Sequence, residues 1–92
     1  HRELLISNLK GGRVAVSGVV ISKQENGFLM DDGTGQLVVL SDVVVEEGSY
    51  VRSFGQLIPL EERNELQASF VQNLDDIDKE VHRNVLKVLN GN

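Results

Sequence analysis

The sequence contains no cysteine, one proline and only four aromatic residues, Phe28, Tyr50, Phe54 and Phe70. Without cysteine there is no disulfide framework and no thiolate metal site, and a reducing compartment is allowed. No apolar run approaches the roughly 18 residues that a membrane span needs. No signal-peptide pattern opens the chain either, so the expectation is a soluble intracellular protein with no membrane contact. Cations are in short supply, nine Lys and Arg against fourteen Asp and Glu, for a net charge of −5. That balance argues against broad, charge-driven affinity for duplex DNA, so any nucleic-acid contact has to be local.

What the chain does have is strand periodicity. The densest signal is Gly27-Phe28-Leu29-Met30-Asp31-Asp32-Gly33-Thr34-Gly35-Gln36-Leu37-Val38-Val39-Leu40. Two apolar strands are joined by Asp-Asp-Gly-Thr-Gly, a turn that supplies positive φ angles and side-chain acceptors for free backbone N–H groups, so the segment reads as a hairpin. Upstream, Val14, Val16, Gly18 and Val20 fall at every second position of 13–22, the period of a strand with one buried face. Residues 50–58 repeat that pattern with Val51, Ser53, Gly55 and Leu57, and a glycine sits at the same step in both. Mid-strand glycine is expected where a small barrel coils or another backbone comes close, so the two strands suggest barrel closure. Leu66, Ala68 and Val71 share an inward register only if one extra residue is accommodated near Ser69-Phe70, which predicts a bulged fifth strand. Between the third and fourth strands, 42–49 reads as a compact connection. At the start, Leu4, Leu5, Ile6 and Leu9 form an apolar cluster, either a turn of helix or an extended lid, ended by Gly11-Gly12.

The tail changes period. From Asp76 onward Ile77, Val81, Val85, Val88 and Leu89 fall on one helical stripe, with Asp75 or Asp76 as N-cap and Gly91 just past the end. Leu86 lies toward the edge of that stripe, which makes the apolar surface wider than the ~100° of an ordinary core-facing helix. Part of it is therefore expected to face a partner. With 92 residues there is room for one domain, 1–92, comprising a barrel over about 13–74 and a helix over about 76–90.

Five strands and a terminal helix in this order resemble the OB family, an all-β Greek-key barrel, and specifically the middle subunit of replication protein A and its telomeric relative Stn. The resemblance spans nearly the whole chain. It is carried by Val14-x-Val16-x-Gly18-x-Val20, by Met30 to Gly35, by the run from Gly48 to Leu57, by Leu66-Gln67-Ala68, and by the helix about ten residues later. It implies a non-catalytic subunit of a replication, repair or telomere-maintenance complex, with weak single-stranded DNA binding on the barrel and other OB-fold subunits as partners of the helix. It also implies a nuclear protein if the source is eukaryotic, and a chromosome-associated cytoplasmic one otherwise. The small OB subunit of the RecQ-mediated genome instability complex is similar as well, through the glycine pattern, Tyr50-Val51, Leu66-Gln67-Ala68 and His82-Arg83-Asn84. That likeness implies a scaffold without DNA binding. A weaker resemblance is to anticodon-binding OB domains, which share the early Val-x-Val-x-Gly strand.

Members of this family that bind single strands well carry rings and cations on their outer strand faces, because bases stack on rings while cations hold phosphates. Here Tyr50, Arg52, Phe54 and Gln56 project together from the face opposite Val51, Ser53, Gly55 and Leu57 and are the candidates for nucleic-acid contact. Lys23 and Arg63 join them from the loops that flank the usual OB cleft, beside Glu25, Glu61 and Glu62. The competing reading is packing of Tyr50 and Phe54 under the terminal helix or N-terminal segment, and pairing of Arg52 with a carboxylate such as Glu65. Phe28 points inward. The partner interface is assigned to Ile77, Val81, Val85, Leu86, Val88 and Leu89. Asp31 and Asp32 are read as turn caps rather than metal ligands or catalysts. His82 is read as solvated or partner-contacting. No catalytic residue, metal site, cofactor or small-molecule substrate is expected.

Overall fold

The computed structural model describes residues 2–91. In chain order it contains β1 (Arg2–Glu3), a 3₁₀ turn (Ile6–Asn8), β2 (Gly12–Gln24), β3 (Gly27–Asp31), β4 (Gln36–Leu40), β5 (Tyr50–Pro59), β6 (Asn64–Asn73) and α1 (Lys79–Leu89). The long strand β2 serves two neighbours. Its first part, Gly12 to Val19, pairs antiparallel with β5, and its second part pairs antiparallel with β3 after a bulge between Val20 and Ser22. The ring closes where β4 runs parallel to β6, matching Val38, Val39 and Leu40 with Glu65, Leu66 and Gln67. Strands β2 to β6 thus form the closed five-stranded barrel of the expected OB fold, with β1 added in parallel beside Val14 and Ala15.

Alternation along these strands builds the core. Val14, Val16, Val20, Phe28, Met30, Leu37, Val39, Val51, Leu57 and Leu66 are buried in one cluster. Each contributes roughly 1.5–3 kcal/mol by leaving water, an upper bound because the unfolded chain already hides part of that surface. The expected bulge is present: Phe54 faces Phe70 while Gly55 faces Ala68, so Ser69 is the extra residue. Gly55 is needed there because a Cβ at that position would run into the Gln67 carbonyl oxygen. Gly18 answers the same demand on β2, where a Cβ would stand 2.8 Å from the Asp31 carbonyl oxygen.

The Asp31–Gly35 turn does two jobs. Asp31 Oδ1 accepts from the Gly33 N–H at 2.6 Å, and Asp32 Oδ1 accepts from the Thr34 N–H and hydroxyl at 2.8 and 2.6 Å. Both carboxylates therefore cap the turn. Asp32 Oδ2 also accepts from the Ile6 N–H at 2.8 Å, and Thr34 Oγ1 accepts from the Ser7 N–H at 3.1 Å, which pins the 3₁₀ turn to the hairpin. The N-terminal segment is thus both extended and turned: a two-residue strand, then Leu5 buried beneath the 3₁₀ turn.

The helix begins later than expected. Asp78 is the N-cap, its Oδ1 accepting from the N–H groups of Glu80 and Val81 at 3.1 Å. Asp75 is drawn elsewhere: its Oδ1 accepts from the Tyr50 N–H at 2.8 Å and its Oδ2 from Asn73 at 3.1 Å. Those two bonds, the backbone one above all, hold the Asp75 carboxyl below its ordinary range. At the other end Gly91 takes φ +76 and donates to the Val88 carbonyl, the stop that its position past the stripe predicts.

Candidate nucleic-acid and partner interface

The outward row of β5 meets two different environments. Tyr50 and Arg52 lie under α1 and beside β1. Tyr50 is 3% exposed, with its hydroxyl 2.8 Å from His82 Nδ1 and its ring edge-on to the imidazole. His82 Nε2 lies 2.9 Å from Glu3 Oε2, which also accepts from the Ser17 hydroxyl at 2.8 Å. His82 Nε2 also lies 3.3 Å from Arg52 Nη2, so the imidazole joins Tyr50 on one side to Glu3 and Arg52 on the other. Arg52 Nε sits 3.0 Å from Glu3 Oε1, and its Nη1 donates to Gln72 Oε1 at 3.3 Å. Burial pushes the Tyr50 phenol above its ordinary pKa, against the pull of nearby Arg83.

Three sequence readings are corrected here. Tyr50 and Arg52 do not project into solvent as ligands for DNA, since α1 and β1 cover them. Arg52 pairs with Glu3 rather than Glu65. His82 is neither solvated nor open to a partner, but joins Tyr50 to Glu3. Glu3 itself is not marked out by the sequence; the available signal is a carboxylate inside an apolar opening segment.

Beyond the helix the row is open. Phe54 is half-buried and Phe70, its cross-strand neighbour, is 59% exposed, with ring centroids 5.7 Å apart. Gln56 is exposed and stands opposite exposed Gln67. The loops of the usual cleft offer less. Lys23 is exposed beside Glu25. Arg63 directs Nε and Nη2 at Glu65 Oε2, at 3.1 and 2.8 Å. Between those loops the outer side of β3 and β4 presents Leu29, Val38 and Leu40, which supply neither charge nor an aromatic face. The predicted six nucleic-acid residues therefore do not converge on one surface.

Helix α1 has two faces of opposite character. Toward the barrel it turns His82, Arg83, Leu86 and Asn90, of which Leu86 is 4% exposed. Asn90 Oδ1 accepts from the Leu5 N–H and from Asn8 Nδ2, both at 3.3 Å, and its own amide donates to the Leu86 carbonyl at 2.8 Å. The other face carries Val81, Val85, Val88 and Leu89, and Ile77, expected on the same stripe, precedes the N-cap Asp78 and so lies outside the helix; all five are exposed, Val88 at 78%. Leu86 is thus withdrawn from the six-residue partner assignment: it is four residues from both His82 and Asn90, on the line that docks. The four that remain on the helix form an apolar stripe on solvent, the reverse of the usual arrangement in which a helix buries that stripe.

No protein-family model and no curated protein matches this sequence. Solved structures do match in shape. A chain from a replication protein A heterotrimer bound to single-stranded DNA aligns at TM-score 0.67 and 20% identity, over 99% of this chain and 80% of its own. A chain of the Stn1–Ten1 complex from S. pombe aligns at 0.68 and 16%, over 91% and 83%. The telomere capping protein Ten1 from Schizosaccharomyces pombe aligns at 0.66 and 18%, over 91% and 88%. The strand order, the parallel closure of β4 on β6, the terminal helix and these likenesses agree that the chain is an OB-fold domain with the architecture of replication protein A and Stn1–Ten1 subunits.

Proposed function

We propose that this chain is a non-catalytic OB-fold accessory subunit of a complex that maintains DNA, in replication, repair or telomere protection. It joins another OB-fold subunit through α1 and touches single-stranded DNA modestly through its barrel. The observation that carries this reading is the uncovered stripe of Val81, Val85, Val88 and Leu89, with Ile77 just ahead of it, on a helix held to the barrel through His82, Leu86 and Asn90. Exposed singly such residues need no explanation, but four on one face of a helix about 16 Å long form a seam suited to a second helix. Two of the similar structures are themselves assemblies of subunits, which supports the same reading. On it, the protein works in the nucleus of a eukaryote, or on the chromosome of a cell without one.

The test is complex formation with an OB-fold subunit from the same source, followed by sedimentation. Val81→Glu should abolish the complex while the barrel keeps its thermal midpoint, because the new carboxylate would be desolvated in the seam without a counter-ion. Unchanged complex formation would contradict the assignment. A second reading, a scaffold without DNA binding, is supported by the neutralised cations: Arg52 is held by Glu3 and Arg63 by Glu65, in a chain of charge −5.

A further inference from the structure

Charge is unevenly spread along this chain. The first 24 residues hold four of the nine Lys and Arg but one of the fourteen carboxylates, and that one, Glu3, is engaged by Arg52 and His82. Arg2, Lys10 and Arg13 line a groove of about 540 Å³ between the N-terminal segment and the start of β2, with no carboxylate among its lining residues. All three are exposed, and none is in an ion pair among the described residues. Gly11 and Gly12 leave the rim open, with no heavy atom within 4 Å of where a Cβ would stand.

Strand register links this groove to the open half of the β5 row. Arg13 lies directly opposite Gln56, and Gln56 directly opposite Gln67, so the three side chains share one outer face. One step along, Phe54 lies opposite Phe70. Arg13 and Phe54 are therefore diagonal neighbours, on the order of 7 Å apart. The order across the surface is cations, then amides, then a ring pair. Cations hold phosphates, amides both donate to and accept from base edges, and an exposed ring, here Phe70, gives a base a stacking surface. A carboxylate-rich peptide would use the cations but would leave the amides and rings without matching groups.

We propose that the groove of Arg2, Lys10 and Arg13 holds the phosphates of a single-stranded nucleic acid whose bases lie along Gln56 and the Phe54–Phe70 pair, away from the cleft flanked by Lys23 and Arg63. This route rests on the DNA-binding arm of the function proposed above and gives that arm a location. It accounts for how an acidic chain holds a polyanion: the strand follows a cationic surface and avoids Glu25, Glu61 and Glu62.

The experiment is fluorescence anisotropy of a labelled oligothymidine over a series of salt concentrations, with two charge-matched double variants. Lys10→Glu with Arg13→Glu should weaken binding at least ~10-fold at low salt. It should also flatten the log–log salt dependence by about 0.7 for each phosphate that the groove no longer neutralises. Lys23→Glu with Arg63→Glu, which changes net charge equally, should stay within about two-fold of the wild type. Phe70→Ala should lose roughly 5- to 100-fold, as removal of one stacking ring does. Circular dichroism should be unchanged in all three variants, and the thermal midpoint should hold for the Lys10/Arg13 pair and fall only slightly for the Lys23/Arg63 pair, which loses the contact with Glu65, and for Phe70→Ala, which loses the ring contact with Phe54. If the Lys23/Arg63 pair takes the loss and the Lys10/Arg13 pair does not, the route is wrong while DNA binding stands. If the wild type binds no oligothymidine at low salt, both the route and the DNA-binding arm fail. Saturable binding of a polyglutamate peptide instead would reassign the groove to a protein ligand and overturn the proposal.

Discussion

Tyr50 and Arg52 occupy the same alternating row of β5 as Phe54 and Gln56, yet the first pair is held in a network with Glu3 and His82, whereas Gln56 is exposed and Phe54 only half-buried beside exposed Phe70. The difference is made by α1 and β1, which reach the row from opposite ends of the chain. Alternation in a strand specifies which side chains share a face, but what covers that face is decided elsewhere. A pattern of rings and cations on one strand is therefore a candidate site only where nothing else packs over it.

Substitutions can widen or erase this contrast. Around this row the largest effect is expected for Glu3→Ala, which strips Arg52, His82 and Ser17 of their shared acceptor and should cost roughly 2–3 kcal/mol in urea unfolding. Oligothymidine affinity should not change. A gain of affinity without a loss of stability would return Arg52, freed from Glu3, to the DNA-binding row.

Tyr50→Phe is expected to cost about 1 kcal/mol by deleting the hydroxyl bond to His82. It also carries a pH signature. The folded-state phenol has its pKa raised above the ordinary 10.0, chiefly by burial. Its contribution is then fully present below the unfolded value and is lost as pH rises through the folded one. Alkaline unfolding profiles of the wild type and Tyr50→Phe should therefore converge above pH 10, and parallel profiles would place the phenol in solvent. Gln56→Ala, in the open half, should change stability by less than about 0.5 kcal/mol. A larger cost would mean that the open half is also covered.

Much of the barrel is legible because its signals are local. Every second residue of β2 and β5 is apolar or small, and the extra residue needed between Ala68 and Val71 is the Ser69 bulge. The Asp31–Gly35 turn carries its own chemistry, so its carboxylates can be assigned to N–H capping without knowledge of the fold. Leu86 and His82 are not legible in the same way. Both sit on a helix face set by docking against Leu5, Asn8 and Glu3, some eighty positions away, and no helical period marks which of two adjacent stripes turns inward. Asp78 is hidden as N-cap because Asp75 and Asp76 offer the same side chain nearby, and only the Tyr50 N–H decides that Asp75 is occupied.

The basic groove escapes a sequence reading for a related reason. Arg2, Lys10 and Arg13 are scattered among apolar residues and two glycines, and they become neighbours only when β1 lies parallel to β2. A count of charge by segment finds the imbalance, although not its geometry.

On the proposed function, α1 docks by one face and assembles by the other. That division is tested most directly by measuring thermal unfolding and complex formation side by side for Val85→Glu and Leu86→Ala, with an OB-fold subunit from the same source as partner. Val85→Glu is expected to abolish the complex and leave the midpoint unchanged, whereas Leu86→Ala should lower stability by roughly 2–5 kcal/mol as truncation of a buried leucine does. A complex that survives Val85→Glu, or a Leu86→Ala variant as stable as the wild type, would contradict it.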